Sequence, residues 1–122
     1  DDGLLAAAFD DFDQPKLAEK HCRTLIEQSP TLALYLVYAE LSAETLSERS
    51  RQISRWQQPA PNANILAAMG ALAATAGEHA EAVAHYSASL ALKSSGLIRV
   101  RLARSFLALG EADKALIHLR AL

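Results

Sequence analysis

Histidine and cysteine are the residue types in this sequence best suited to bind a metal ion or a heme iron. His21 and Cys22 are adjacent, and neighbours on a helix point about 100° apart, so the pair cannot converge on one ion without distortion. His79, His85 and His118 include no pair at the i, i+4 spacing of a helical zinc site. We therefore predict no metal site and no cofactor. A single histidine that ligates heme, in a heme-binding helper, is kept as a weaker alternative, and Cys22 is interpreted as a small buried hydrophobic residue.

The acidic residues near the start of the chain resemble part of a calcium loop. Asp11 and Asp13 have the spacing of its first ligands. The loop would also need a glycine at its sixth position and a glutamate at its twelfth, where Cys22 falls, and Pro15 lies inside it. We interpret these acids instead as flanking two helix ends, where the helix dipole favours them at the start of the second.

A cluster of arginines is the one candidate for binding RNA or an anionic membrane. Arg51 and Arg55 are i, i+4 neighbours and Arg49 lies close by, while Glu44 and Glu48 dilute the charge. The whole chain has a net charge of −2, so no basic field favours nucleic acid. We interpret the cluster as a solvated helix face and predict no nucleic-acid partner.

Catalytic motifs are not found in the sequence. The five glycines are all solitary, so no phosphate-binding loop is present. No serine has the context of a nucleophile elbow, and no carboxylate pair is flanked by groups that would separate its pKa values. We predict that the protein is not an enzyme and has no catalytic residue.

The elements that position these residues are predicted to be helices. Of the 122 residues 51% are hydrophobic and only 6% are aromatic, a profile typical of packed helices. Proline and glycine punctuation predicts about eight short helices joined by short loops, so that neighbours run antiparallel. Gly77 is predicted to be a left-handed cap, and Gly110 occupies the same place in its repeat. The predicted ranges are 4–12, 16–28, 32–42, 45–57, 64–76, 81–93, 97–109 and a helix that begins near 112.

One residue spacing occurs three times along the chain. A small residue is followed by a larger one, then by an alanine and then, four positions later, by a bulky or apolar residue; the last two sets are 33 residues apart. We expect Gly70 and Ala82 to let two helices approach closely, with Tyr86 filling the space to the next repeat. The sets are Ala6, Phe9, Ala18 and Cys22; Gly70, Ala73, Ala82 and Tyr86; and Ala103, Phe106, Ala115 and Leu119.

The third and fourth predicted helices do not follow this spacing. The repeat frame places Glu40 at the small position and Gln52 at the alanine position, and neither suits a close helix crossing. We therefore expect one domain over residues 1–122, with repeat-like units at 1–30, 63–95 and 96–122 and a degenerate pair at 31–62.

The three matched sets resemble the tetratricopeptide-repeat (TPR) superfamily, whose period is about 34 residues. A narrower resemblance is to the C-terminal TPR region of the HemY family, over residues 18–30, 33–56 and 66–119, with Met69-Gly70 and the later run Gly77-Glu78-x-x-Glu81-Ala82. Many members of that family carry a tryptophan where this chain has His79. The resemblance implies an α-α superhelix with one degenerate helix pair and no known catalytic motif.

The resemblance also implies a function. HemY proteins are bacterial membrane-anchored TPR proteins associated with late heme synthesis, so the expected role is a protein-binding scaffold that organises heme-biosynthesis enzymes. The expected location is the cytoplasmic face of the inner membrane, or the cytoplasm if the HemY resemblance does not hold. The chain begins without methionine and ends within a helical pattern, so we expect a fragment of a longer protein. Its longest apolar run, residues 65–76, is shorter than the roughly 20 residues of a membrane span.

In a TPR array the first helix of each pair lines a concave groove. With Arg104 as its only cation this groove does not suit a carboxylate clamp, and we expect the partner to be a protein or peptide with an apolar or amphipathic helix. The alternative is a structural or self-associating module with no separate ligand. The groove positions are Asn64, Ala67, Ala71, Ala74 and Thr75; Leu97, Val100, Arg104, Leu107 and Ala108; and, from the degenerate pair, Leu34, Val37 and Leu41.

Overall fold

The computed structural model describes residues 14–122, and this part of the chain is helical and contains no strand. The predicted all-α class is confirmed. The predicted first helix, with Ala6 and Phe9, lies outside the described residues. The described helices are α1 Pro15–Gln28, α2 Leu32–Ala39, α3 Leu46–Trp56, α4 Ala63–Thr75, α5 His79–Leu92, α6 Gly96–Ala108 and α7 Ala112–Arg120, with a 3₁₀ turn at Ala43–Thr45.

Polar caps begin three of these helices. In each, a side-chain oxygen accepts a hydrogen bond from the backbone N–H three residues later, which satisfies a donor that the first turn leaves without a partner. The pairs are Thr31 with Leu34 N (3.2 Å) at α2, Asn62 with Ile65 N (2.9 Å) at α4, and Ser95 with Ile98 N (3.3 Å) at α6.

Left-handed glycines end α4 and α6, as the sequence predicted for Gly77. The backbone φ is +80° at Gly77 and +77° at Gly110. After α4, Gly77 N–H donates to Ala74 O at 3.0 Å and Glu78 N–H donates to Ala73 O at 2.9 Å. This is the Schellman arrangement. The same two bonds follow α6, from Gly110 to Leu107 O (3.0 Å) and from Glu111 to Phe106 O (2.9 Å).

The chain divides into two compact units at Ala60 and Pro61. The N-terminal unit contains α1, which packs on α2 and on the 3₁₀ turn, and α3, which also contacts that turn. In the C-terminal unit α4 packs on α5, α5 on α6, and α6 on α7. Only short loops join these packed helices, so consecutive helices run antiparallel.

Two helices of the C-terminal unit approach closely at Gly70. A Cβ added there would lie 2.6 Å from both Cδ1 and Cε1 of Tyr86, so the ring rests directly on the glycine. Ala82 is fully buried and Tyr86 is only 1% exposed. Gly70 therefore lets the Tyr86 ring pack within its own helix pair. From the sequence, Tyr86 was expected to fill the space to the next repeat.

The same pattern recurs at α6 and α7, with one difference. Ala103, Phe106 and Ala115 are buried, as Ala18 and Cys22 are in the N-terminal unit. Leu119, at the position equivalent to Tyr86, is instead 38% exposed. Among residues 14–122, no helix combines the length and the apolar character needed to cross a bilayer.

Candidate functional site

One face of α6 is open to solvent and largely apolar. Leu97 is 47% exposed and Leu107 is 54% exposed. Val100 is half-buried between them, and Arg104 and Ala108 are exposed. We call these five residues the α6 row. They are the groove positions that the sequence predicted on this helix, and the structure brings them together on one accessible face.

The other predicted groove positions have different surroundings. Ala67 and Ala71 of α4 are fully buried. Leu34 and Leu41 of the N-terminal unit are at most 5% exposed. Thr75 is exposed, and its hydroxyl donates to Ala71 O at 2.8 Å. Asn64, Ala74 and Val37 are half-buried. The accessible part of the predicted groove is therefore mainly the α6 row.

A polar and aromatic cluster fixes α6 against α7 behind the row. The His118 ring stacks on Phe106 with centroids 5.7 Å apart and planes 12° apart. Arg99 Nη1 lies 3.3 Å from His118 Nδ1, so this nitrogen is the acceptor and the ring is neutral. Burial, and secondly the charge of Arg99, lower the pKa of His118. Lys114 Nζ lies 5.9 Å from the Phe106 ring centroid.

Two large apolar residues of α7 are exposed. Ile117 is 66% exposed and Leu116 is 43% exposed, and Leu122, beyond the end of the helix, is 64% exposed. Ala115 is the only buried residue of this helix. Most of the apolar side chains of α7 are therefore available for contact.

Arg49 is the clearest departure from the sequence analysis. It was assigned to a solvated basic face, and it is 1% exposed. Its guanidinium group caps the carbonyl end of α2, where the negative end of the helix dipole favours a cation. The acceptors are Tyr38 O (3.2 Å), Ala39 O (2.7 Å), Leu41 O (2.9 Å) and Ser42 O (2.6 Å), and Nε donates to Thr45 Oγ1 at 2.9 Å.

A buried carboxylate links α1 to α2. Glu19 is 8% exposed and accepts the Tyr38 hydroxyl at 2.7 Å. Arg23 reaches the same carboxylate with Nε at 3.0 Å and Nη2 at 3.3 Å. Burial and this hydrogen bond raise the pKa of Tyr38, and the bond to Glu19 raises the pKa of Arg23. This contact was not predicted, although the i, i+4 spacing of Glu19 and Arg23 is typical of a helical ion pair.

Beside this carboxylate, α1 and α3 enclose a surface cavity of about 170 Å³. Every residue that lines it has a polar or charged side chain. The residues are Glu19 and Arg23 from α1, and Glu48, Arg51, Gln52 and Arg55 from α3. Arg51 and Arg55, which the sequence placed on an exposed face, are indeed exposed.

The environment of Cys22 favours packing over chemistry. The side chain is fully buried and its Sγ lies 3.6 Å from Leu34 O. Burial, and secondly the nearby Glu19 carboxylate, raise the pKa of Cys22 to about 12. The thiol therefore stays protonated and a poor nucleophile at neutral pH. In residues 14–122, no three His, Cys, Asp or Glu side chains are grouped so that they could hold a metal ion.

A scan against protein-family models and a search of curated proteins both gave no match to this chain.

Proposed function

We propose that the chain is a non-catalytic scaffold of the TPR type that binds an amphipathic helix of a partner protein along the α6 row. The observation that carries this proposal is the open apolar face of α6, with Leu97 47% and Leu107 54% exposed. An amphipathic helix could cover these leucines with the apolar side chains that its own successive turns present. Arg104, exposed within the row, would favour an acidic residue beside that stripe.

The TPR part of the proposal is supported by repetition of local structure. Asn62 and Ser95 cap α4 and α6 in the same way, and Gly77 and Gly110 end these helices with the same pair of hydrogen bonds. Each helix is followed by a partner that packs on it. Two successive helical hairpins with matching starts, ends and small-residue contacts are what a stacked repeat requires.

A HemY-like context is the narrower form of the proposal. It is supported by the stretches 18–30, 33–56 and 66–119 and is weakened by His79, where many members of that family have a tryptophan. In this context the partners would be heme-biosynthesis enzymes at the cytoplasmic face of a bacterial inner membrane.

Substitution of the exposed row tests the proposal without disturbing the core. Because both leucines are exposed, Leu97→Asp with Leu107→Asp should leave the helical circular dichroism unchanged and abolish partner capture in affinity purification. Leu92→Asp is the matched control, since Leu92 is 62% exposed on α5. Partner capture that survives in the double variant would show that the partner does not bind along the α6 row.

Self-association is the second candidate function, and the exposed apolar residues of α7, Leu116 and Ile117, favour it. Repeat helices bury their apolar residues against neighbouring repeats, and Ile117 is 66% exposed. Light scattering over a range of concentrations would show a dimer that Ile117→Asp dissociates. A monomer at every concentration would exclude this candidate and leave the α6 row as the binding surface.

A further inference from the structure

The cavity between α1 and α3 contains more hydrogen-bond donors than its own acceptors satisfy. Arg23 uses Nε and Nη2 to bind Glu19, which leaves Nη1 available. Arg51 and Arg55 form no ion pair with any residue in the described part of the chain. Guanidinium groups are planar donors whose geometry matches the oxygens of a carboxylate or a phosphate.

The charges of the cavity leave an excess of one positive charge. Three arginines face two carboxylates, those of Glu19 and Glu48. The Glu19 carboxylate already accepts bonds from Tyr38 and Arg23. Among the residues that line the cavity, Arg51 and Arg55 are therefore opposed only by Glu48, which is exposed.

The cavity is also held in a defined shape on the α1 side. Glu19 is 8% exposed and is anchored to α2 through Tyr38. Arg23 is 35% exposed and is fixed by two bonds to that carboxylate. One of the three arginines is thus already oriented, so a bound anion would lose less side-chain entropy than on freely moving arginines.

We propose that this cavity binds an oxyanion, a carboxylate or phosphate group, through Arg23, Arg51 and Arg55. Its volume of about 170 Å³ has room for a few water molecules of roughly 30 Å³ each, and so for one such group. The site lies in the N-terminal unit and uses no residue of the α6 row. It therefore goes beyond the proposed function, and each can fail without the other.

Glu48 provides a test of the electrostatics of this cavity. A bound anion is repelled by Glu48, so Glu48→Gln should tighten binding several-fold. An affinity that Glu48→Gln leaves unchanged or weakens would contradict an anion bound beside Glu48.

The experiment is an NMR titration of the whole chain with inorganic phosphate, and separately with acetate, at constant ionic strength. Arginine Nε–Hε signals of the cavity should shift saturably, and Arg51→Gln with Arg55→Gln should weaken binding about tenfold or more. Arg120→Gln, an exposed arginine on α7, is the matched control and should change nothing. Saturation by phosphate alone assigns a phosphate ligand, and saturation by acetate alone assigns a carboxylate.

Three results would overturn the proposal. The first is a non-saturable shift with both anions. The second is equal affinity in the wild type and the Arg51/Arg55 double variant. The third is weaker or unchanged binding in Glu48→Gln. Both arginines are exposed, so loss of fold is not expected, and thermal unfolding of each variant checks this directly.

Discussion

The two units of this protein end the first helix of a pair by different means. In the C-terminal unit α4 and α6 each run for 13 residues and end at a left-handed glycine, so the backbone itself satisfies the last carbonyls. In the N-terminal unit α2 has only 8 residues, and the side chain of Arg49 satisfies the carbonyls instead. The end of a helix can therefore be capped by backbone geometry or by one buried cation, and the second solution depends on a single residue.

The largest effect is expected from removing that cation. Arg49→Leu would leave several buried carbonyls without a donor and should destabilise the N-terminal unit by about 3–5 kcal/mol. Urea unfolding followed by the fluorescence of Trp56, which contacts Tyr35 and Tyr38 in this unit, measures the loss. Arg51→Leu, at an exposed position, should change stability little. Equal stability of the two variants would show that Arg49 is not the cap described here.

A smaller effect is expected from filling the close approach in the C-terminal unit. Gly70→Ala places a methyl group against the Tyr86 ring and should cost about 1–3 kcal/mol, although alanine is the better helix former by roughly 0.5–1 kcal/mol. The measurement is urea unfolding by circular dichroism.

Two further variants sharpen the test at Gly70. Gly96→Ala is the control, since its added Cβ would only meet Leu122 Cδ2 at an ordinary 3.5 Å. Adding Tyr86→Leu to Gly70→Ala recreates the Ala103–Leu119 combination of the next hairpin and should recover part of the loss. Additive effects of the two substitutions would refute steric coupling.

Each glycine cap should contribute less to the free energy of unfolding than Arg49 does, because each supplies only a backbone conformation. Nothing lies within 4 Å of a Cβ added at Gly77 or Gly110, so the penalty of an alanine comes from φ alone. We expect Gly77→Ala and Gly110→Ala each to cost about 1 kcal/mol, and the asparagine variants to cost less. Thermal unfolding would measure both series. If alanine and asparagine were equally tolerated, the left-handed caps would not be contributing stability.

The smallest effect is the pH dependence of the contact between α6 and α7. Because the folded-state pKa of His118 lies below its unfolded value, the unfolded chain binds more protons in the window beneath about pH 6.5. The contribution of His118 to the free energy of unfolding is therefore complete above this pH and declines as the pH falls below it. An NMR titration should give His118 a pKa below 6.5 that Arg99→Gln raises. A pKa at or above 6.5 in the wild type would contradict the neutral acceptor described here.

Much of the helical layout follows from local signals in the sequence. The prolines, the two cap glycines and the small residues at Gly70 and Ala82 act within a few residues or within one hairpin. The caps Thr31, Asn62 and Ser95 were missed, although a polar residue just before each helix is such a signal.

Arg49 could not be assigned from the sequence for a physical reason. Its spacing relative to Arg51 and Arg55 is that of a surface cluster, and its burial depends on how far α2 extends before it ends. The prediction placed that end at residue 42, and the helix ends at Ala39. Burial of Ala67 and Ala71 is likewise decided by tertiary packing, so the accessible share of the predicted groove was not visible in the residue types.

The most direct test of the proposed scaffold function is site-specific photo-cross-linking from α6. A benzoylphenylalanine at position 107 should form a discrete adduct with a partner protein, and Leu97→Asp should abolish it. The same probe at position 92, which is also exposed, should give no adduct with that partner. Adducts from position 92 but not from 107, or adducts from 107 that persist with Leu97→Asp, would contradict binding along the α6 row.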